Sequence, residues 1–183
     1  MEIILVRHGR PKFHVNNIIS ASGFSQWVRC YNKSKICSES TPPKALIDRS
    51  KKSFIVSSNL NRAIHSASLC INKSPDLILK ELREMDIPRF KLPLKAKANN
   101  WLIISRLLWF FNFNGQVESF KQAKMRARLA ASKLVELTKQ HDEIVVFSHG
   151  LINKYLAKEL IKLGWSGSYK RQSYWGSTTL KKS

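Results

Sequence analysis

The chain has 183 residues, a length that suits one domain with room for a full hydrophobic core. Hydrophobic residues make up 43% and charged residues 24%, which excludes a disordered chain, and the longest apolar run, residues 101–111, is too short to span a bilayer and carries Arg106. The charge is unusual: 32 Lys and Arg against 12 Asp and Glu give a formal +20, a field that draws polyanions, anionic lipid surfaces or phosphorylated substrates without choosing among them.

In chain order, Glu2 to Val6 is an apolar, β-rich run expected as a buried strand. Arg7-His8-Gly9 follows so early that this segment is expected to be a retained strand and not a signal peptide. Residues 16–52 are polar, with Pro42-Pro43 as a breaker, and are expected to be an irregular excursion over the surface. Phe54 to Val56 predicts a second buried strand, ending at Ser57-Ser58. Leu60, Ala63, Ala67 and Ile71 then recur at helical spacing, with Asn59 or Ser58 as N-cap. Leu77 to Leu79 predicts a third short strand.

Lys91 to Lys97 is basic, and Trp101 to Phe111 follows with apolar residues all round a helix. That pairing suits a buried helix or a lid better than a dimer contact or a membrane-facing one. Val117, Phe120, Ala127, Ala130, Leu134 and Leu137 form one face of a long helix. Glu143 to Phe147 predicts a strand, Leu151 to Leu163 a helix ended by Gly164, and Tyr174 to Leu180 a last strand. Strands alternating with helices predict an α/β layered domain with a mainly parallel sheet. Cys30, Cys37 and Cys70 contain no CxxC pair, and an odd, sparse count points to a reduced, cytoplasmic setting.

Two places share one construction. Ile3 to Gly9 and Ile144 to Gly150 each run as a buried strand that releases a His and then a Gly. In parallel sheets, sites form beyond the carboxyl ends of the strands, so neighbouring parallel strands would bring His8 and His149 to one crevice. Gly9 and Gly150 let a ligand approach the backbone. Arg62, in the first turn after Ser57-Ser58, points to the same edge, where a helix dipole favours an anion. Singly, a strand-end His is more often structural and a first-turn Arg more often solvated. Arg7, His8, Arg62 and His149 together make a pocket for a phosphoryl dianion, since Arg forks bind phosphate oxygens and one His can attack while the other, protonated, neutralises charge. A metal is disfavoured there by two arginines and by the lack of a carboxylate or thiolate cluster.

These segments resemble the histidine phosphatase superfamily, the phosphoglycerate-mutase-like proteins. Leu5-Val6-Arg7-His8-Gly9 resembles its opening motif, Ser57 to Ala67 its second, Leu82-Arg83-Glu84-Met85 the segment with the proton donor, and Phe147-Ser148-His149-Gly150 the last, all in the family's order. The resemblance implies a three-layer α/β/α sandwich with a mostly parallel central sheet and no cofactor. It implies His8 as nucleophile, Arg7, Arg62 and His149 on the phosphoryl oxygens, and Glu84 as acid. It also implies a single domain over 1–183 with a variable, substrate-facing segment at about 86–115.

An alkoxide leaving group needs a proton, which suits Glu84, with Asp86 as the alternative acid and Glu81 less suited. His14 stands where the family often has Asn and is, with Gly150, a candidate substrate contact. Residues 18–24 and 115–119 also depart from the family's pattern, so the reaction is better specified than the substrate. The expected activity is phosphomonoester hydrolysis through a phosphohistidine on a phosphorylated small molecule, phosphoprotein or lipid phosphate. Its rivals are a mutase, for which the chain looks short, and an idle basic module for RNA or anionic lipid, which the +20 charge keeps open and the intact motif residues disfavour.

Overall fold

The computed structural model describes residues 1–170 and 172–182. The sheet is built from β1 (Glu2–Arg7), β3 (Phe54–Ser58), β4 (Leu77–Leu79), β6 (Glu143–Ser148) and β7 (Ser177–Lys181), in the order β4-β3-β6-β1-β7. The first four run parallel, and β7 pairs antiparallel with β1 at one edge. Successive strand side chains face opposite ways. Ile3, Leu5, Ile144 and Val146 therefore pack on one face against α5 (Phe120–Leu137) and α6 (Gly150–Lys162). Ile4, Val6, Val145 and Phe147 pack on the other against α2 (Lys44–Ser50) and α3 (Asn61–Ile71). The result is the expected three-layer sandwich with a mostly parallel sheet. Each of these buried aliphatic side chains contributes about 1.5–3 kcal/mol of transfer free energy.

Helix ends follow local chemistry. Ser119 and Gln122 cap α5 reciprocally, Ser119 Oγ accepting from the Gln122 N–H while the Gln122 side chain accepts from the Ser119 N–H. Gly164 turns the chain out of α6 with a φ of 86°. At α3 the cap position is Leu60, without a side-chain cap, and Ser58 Oγ accepts from the Leu60 N–H instead.

The expectation for residues 16–52 is corrected. This stretch contains β2 (Ile18–Ser20), α1 (Ala21–Lys33) and α2. Phe24, Trp27, Val28 and Tyr31 stand at i, i+3, i+4 and i+7, and Ser20 Oγ caps α1 by accepting from Gly23 N–H. The helical period is present, and the surrounding polar composition obscures it. Phe24, Trp27 and Val28 form a separate cluster with Ala98 and Trp101 of α4 (Ala98–Phe110). β2 pairs antiparallel with β5 (Lys95–Lys97).

The 101–111 segment is half of what its composition predicts. Trp101, Ser105 and Trp109 are fully buried, while Ile103, Leu107, Phe110 and Phe111 remain exposed. Arg106 turns inward and donates to the carbonyls of Met85 and Asp86, both at 2.7 Å. Tyr174 and Trp175 precede β7 instead of opening it. Among the described residues no helix is long and apolar enough to cross a membrane.

Candidate active site

The sheet register brings the predicted residues to one edge. Arg7 lies opposite Ser148, and Ser57 opposite Phe147, so β1, β3 and β6 end at the same level. His8 and His149 leave adjacent strands with ring centroids 5.0 Å apart. His8, Arg62 and His149 are all buried, at 2%, 1% and 0% exposure.

His8 has a defined tautomer. Its Nδ1 lies 2.7 Å from the Gly9 carbonyl oxygen, which can only accept, so Nδ1 carries the proton. Its Nε2 accepts from Arg62 Nε at 3.1 Å, so the lone pair is on that nitrogen. Burial first and Arg62 next hold this imidazole well below the ordinary histidine range, with the Gly9 carbonyl opposing them and Arg7 adding a smaller push downward. His8 is therefore a neutral imidazole with an available Nε2. The backbone is equally fixed: the His8 N–H donates to the Ser148 carbonyl and the Gly9 N–H to Ser66 Oγ.

His149 differs. Its Nε2 shares a 2.8 Å hydrogen bond with Ser58 Oγ, and its buried Nδ1 has no partner among the described residues. Burial, then Arg62, His8 and Arg7, push this imidazole well below the ordinary range as well. Burial and the neighbouring cations thus work against the protonated form of His149 that the sequence reading assigns to it.

The arginines are capped by tyrosines. The Arg62 guanidinium lies 4.5 Å from the Tyr31 ring centre, and its Nη1 donates to the Tyr31 carbonyl. The Arg7 guanidinium lies 4.4 Å from the Tyr174 ring centre, and its Nη1 donates to the Gln172 carbonyl. The Tyr174 ring also reaches within 5.9 Å of His8. The hollow beside Arg62 and Glu84 offers only about 10 Å³, the space of roughly one water.

Glu84 lines that hollow, and its carboxylate accepts backbone N–H groups from Met85, Leu151 and Ile152 at 3.0, 3.3 and 3.0 Å. It thereby caps the start of α6, the helix that His149 introduces. Arg106 holds the Met85 and Asp86 carbonyls, and Arg126 holds those of Glu81 and Arg83, so two guanidiniums fix the segment that carries Glu84. Asp86 lines the same hollow and pairs with Arg83 at 3.5 Å. Gly150 begins α6 beside the Arg7 side chain. His14 is not brought into the site: it is exposed, with Nδ1 beside the Lys12 carbonyl.

The sequence reading missed Tyr31, Tyr174, Ser58 and Gln172. Tyr31 was discoverable, as the fourth member of the α1 apolar stripe. Tyr174 and Gln172 carry no local signal, since both act from a turn before the last strand. No group of His, Cys, Asp and Glu among the described residues is arranged to hold a metal.

Comparisons with known proteins bear on the family and the fold. The histidine phosphatase superfamily (branch 1) matches the sequence over residues 44–180. That span includes Arg62, Glu84 and His149; Arg7 and His8 precede it. No curated protein matches the sequence. Among solved structures, the fold is similar to mycobacterial hydrolase 1, with a TM-score of 0.60, 15% identity and coverage of 98% of this chain and 96% of that one. It is similar to the alpha-ribazole phosphatase from Shigella flexneri, at 0.56, 20%, 88% and 80%. It is also similar to a phosphoserine phosphatase mutant from Entamoeba histolytica in complex with phosphoserine, at 0.53, 17%, 97% and 89%. With a family match over most of its length and the same fold, the chain belongs to the histidine phosphatase superfamily.

Proposed function

We propose that this protein is a phosphomonoesterase that works through a phosphohistidine on His8. The observation that carries the reading is the hydrogen-bonding of His8: Nδ1 faces an acceptor, which leaves the Nε2 lone pair as the nucleophile. Superfamily membership supports the reaction class.

On binding, Arg62 exchanges its hydrogen bond to His8 Nε2 for one to a phosphoryl oxygen, which frees the lone pair. Arg7 and Arg62 spread the developing charge over the equatorial oxygens. The arriving dianion offsets the cations that keep His149 neutral, so His149 takes up a proton and becomes a third positive contact. The Nε2–P bond forms as the P–O bond to the leaving group breaks, and Glu84, in its protonated form, gives its proton to the departing oxygen. In the second half Glu84 takes a proton from water, the water oxygen attacks phosphorus, and the N–P bond breaks to release phosphate and restore His8. Glu84 must turn from the α6 backbone toward the leaving oxygen to do this.

Brief incubation with labelled substrate should leave an acid-labile, base-stable phosphoryl group on the protein, and His8→Ala should abolish both label and turnover. Substantial activity in His8→Ala would refute the covalent mechanism.

A further inference from the structure

A second, larger hollow of about 1170 Å³ lies along α1. The helix gives it Ser22, Ser25 and Arg29, and gives Asn32 to the small hollow beside Arg62. These four residues stand at i, i+3, i+7 and i+10, which is one stripe of a helix. The facing wall is just as continuous: residues 83–87 line the small hollow and 89–95 the large one. Both walls run from one hollow to the other without leaving the same two segments. The two hollows are thus aligned in succession along α1 over roughly 15 Å, the helical rise from Asn32 to Ser22, with Arg62 at the inner one.

The outer stretch has a distinct chemistry. Arg29, Arg89, Lys91 and Lys95 line it, and no Asp or Glu does. All four are exposed, and none forms an ion pair among the described residues. On the wall from 89 to 95 the cations alternate with Phe90, Leu92 and Leu94, of which the first two are half-buried. An apolar wall edged by unpaired cations suits a hydrocarbon or ring spacer that ends in an anion. The inner stretch, with about 10 Å³ and Tyr31 in its wall, gives no such room to a bulky leaving group.

We propose that this groove receives the leaving group of an extended phosphomonoester carrying a second phosphate, which Arg29 and Arg89 hold far from His8. The substrate class is then a long bisphosphorylated small molecule and not a compact monoester. This rests on the phosphatase reading for the inner phosphate, and the test separates the two.

Decane bisphosphonate and decyl phosphonate, which resist hydrolysis, are titrated into the wild-type protein by calorimetry. The bisphosphonate should bind at least tenfold more tightly, and the preference should disappear at high salt, where exposed charges are screened. The double variant Arg29→Ser, Arg89→Ser should lose the preference, with its thermal midpoint as the check on folding. Equal affinity of the two ligands, no binding of either, or a preference that survives both salt and the double variant overturns the inference. Turnover of p-nitrophenyl phosphate is measured alongside. If it is absent while the bisphosphonate preference stands, the phosphatase reading falls and the groove remains.

Discussion

The two strand–His–Gly units start from the same sequence pattern and end in different chemistry. At the first, the Gly9 carbonyl takes the Nδ1 proton of His8, and Arg62 points at Nε2. At the second, Ser58 occupies Nε2 of His149, and Nδ1 has no partner among the described residues. The glycines differ too. A Cβ on Gly9 would lie 2.5 Å from the Trp175 ring and 2.9 Å from Ser40 Oγ, whereas one on Gly150 would meet the Arg7 side chain at an ordinary 3.6 Å. Identical local grammar thus yields one unit tightly packed around an Nε2 lone pair that faces Arg62 and one that opens α6 and anchors Glu84. The neighbours across the sheet, and not the motif, decide which ring nitrogen of each histidine is engaged.

The largest test of that difference compares the two histidines. His8→Ala should abolish phosphoryl labelling and turnover. His149→Ala should still label while kcat falls by about two to three decades, the usual loss for a removed charge-stabilising donor. Labelling that survives in His8→Ala and vanishes in His149→Ala would exchange their roles.

The acid tied to the second unit gives a comparable effect on selected substrates. Glu84→Gln should lower kcat for alkyl phosphates by about two to four decades and spare p-nitrophenyl phosphate, whose leaving group needs no proton. Asp86→Asn should be mild on both. A selective loss in Asp86→Asn would move the acid two residues along, and an equal loss on both esters in Glu84→Gln would make Glu84 a positioning residue.

The glycines supply the next contrast. Gly9→Ala forces the Trp175 ring to shift and should cost about 1–3 kcal/mol, read as a fall in denaturation midpoint. Gly150→Ala starts a helix with room for its methyl group and should stay within about 0.5 kcal/mol. Equal losses would mean that the packing of the two units is not different.

The last contrast concerns the share each histidine has in stability against pH. Both imidazoles are held below their ordinary value in the folded chain, so the unfolded chain binds more protons as pH falls below about 6.5. The stability they contribute is present above that pH and declines below it, by up to about 1.4 kcal/mol per pH unit for each imidazole. Denaturation at pH 7, 6 and 5 should show the decline, and His8→Ala should remove part of the slope in this window, above the carboxylate range, since His149 and His65 are lowered too. A slope that His8→Ala leaves intact would assign it to other groups.

Local sequence determined the five strands of the main sheet, most helices and the positions of the catalytic candidates. Continuous apolar β-rich runs, helical spacing and a His-Gly at a strand end are properties of neighbouring residues, so Glu2–Arg7, Phe120–Leu137 and the pair His8 and His149 are legible. Where apolar residues are diluted by polar ones the same signal fades, and α1 with Tyr31 was read as surface loop for that reason. Only the tertiary structure decided the rest. Arg62 selects the lone pair of His8 across 54 residues, Ser58 takes the other histidine across 91, and Glu84 meets the start of α6 across 67 and 68. Tyr174 reaches Arg7 from the far end of the chain because β7 pairs with β1. Which nitrogen is free, which proton is held and which ring closes the site depend on these long-range contacts. A burial pattern in sequence specifies that a side chain is inside, but not which partner meets it there.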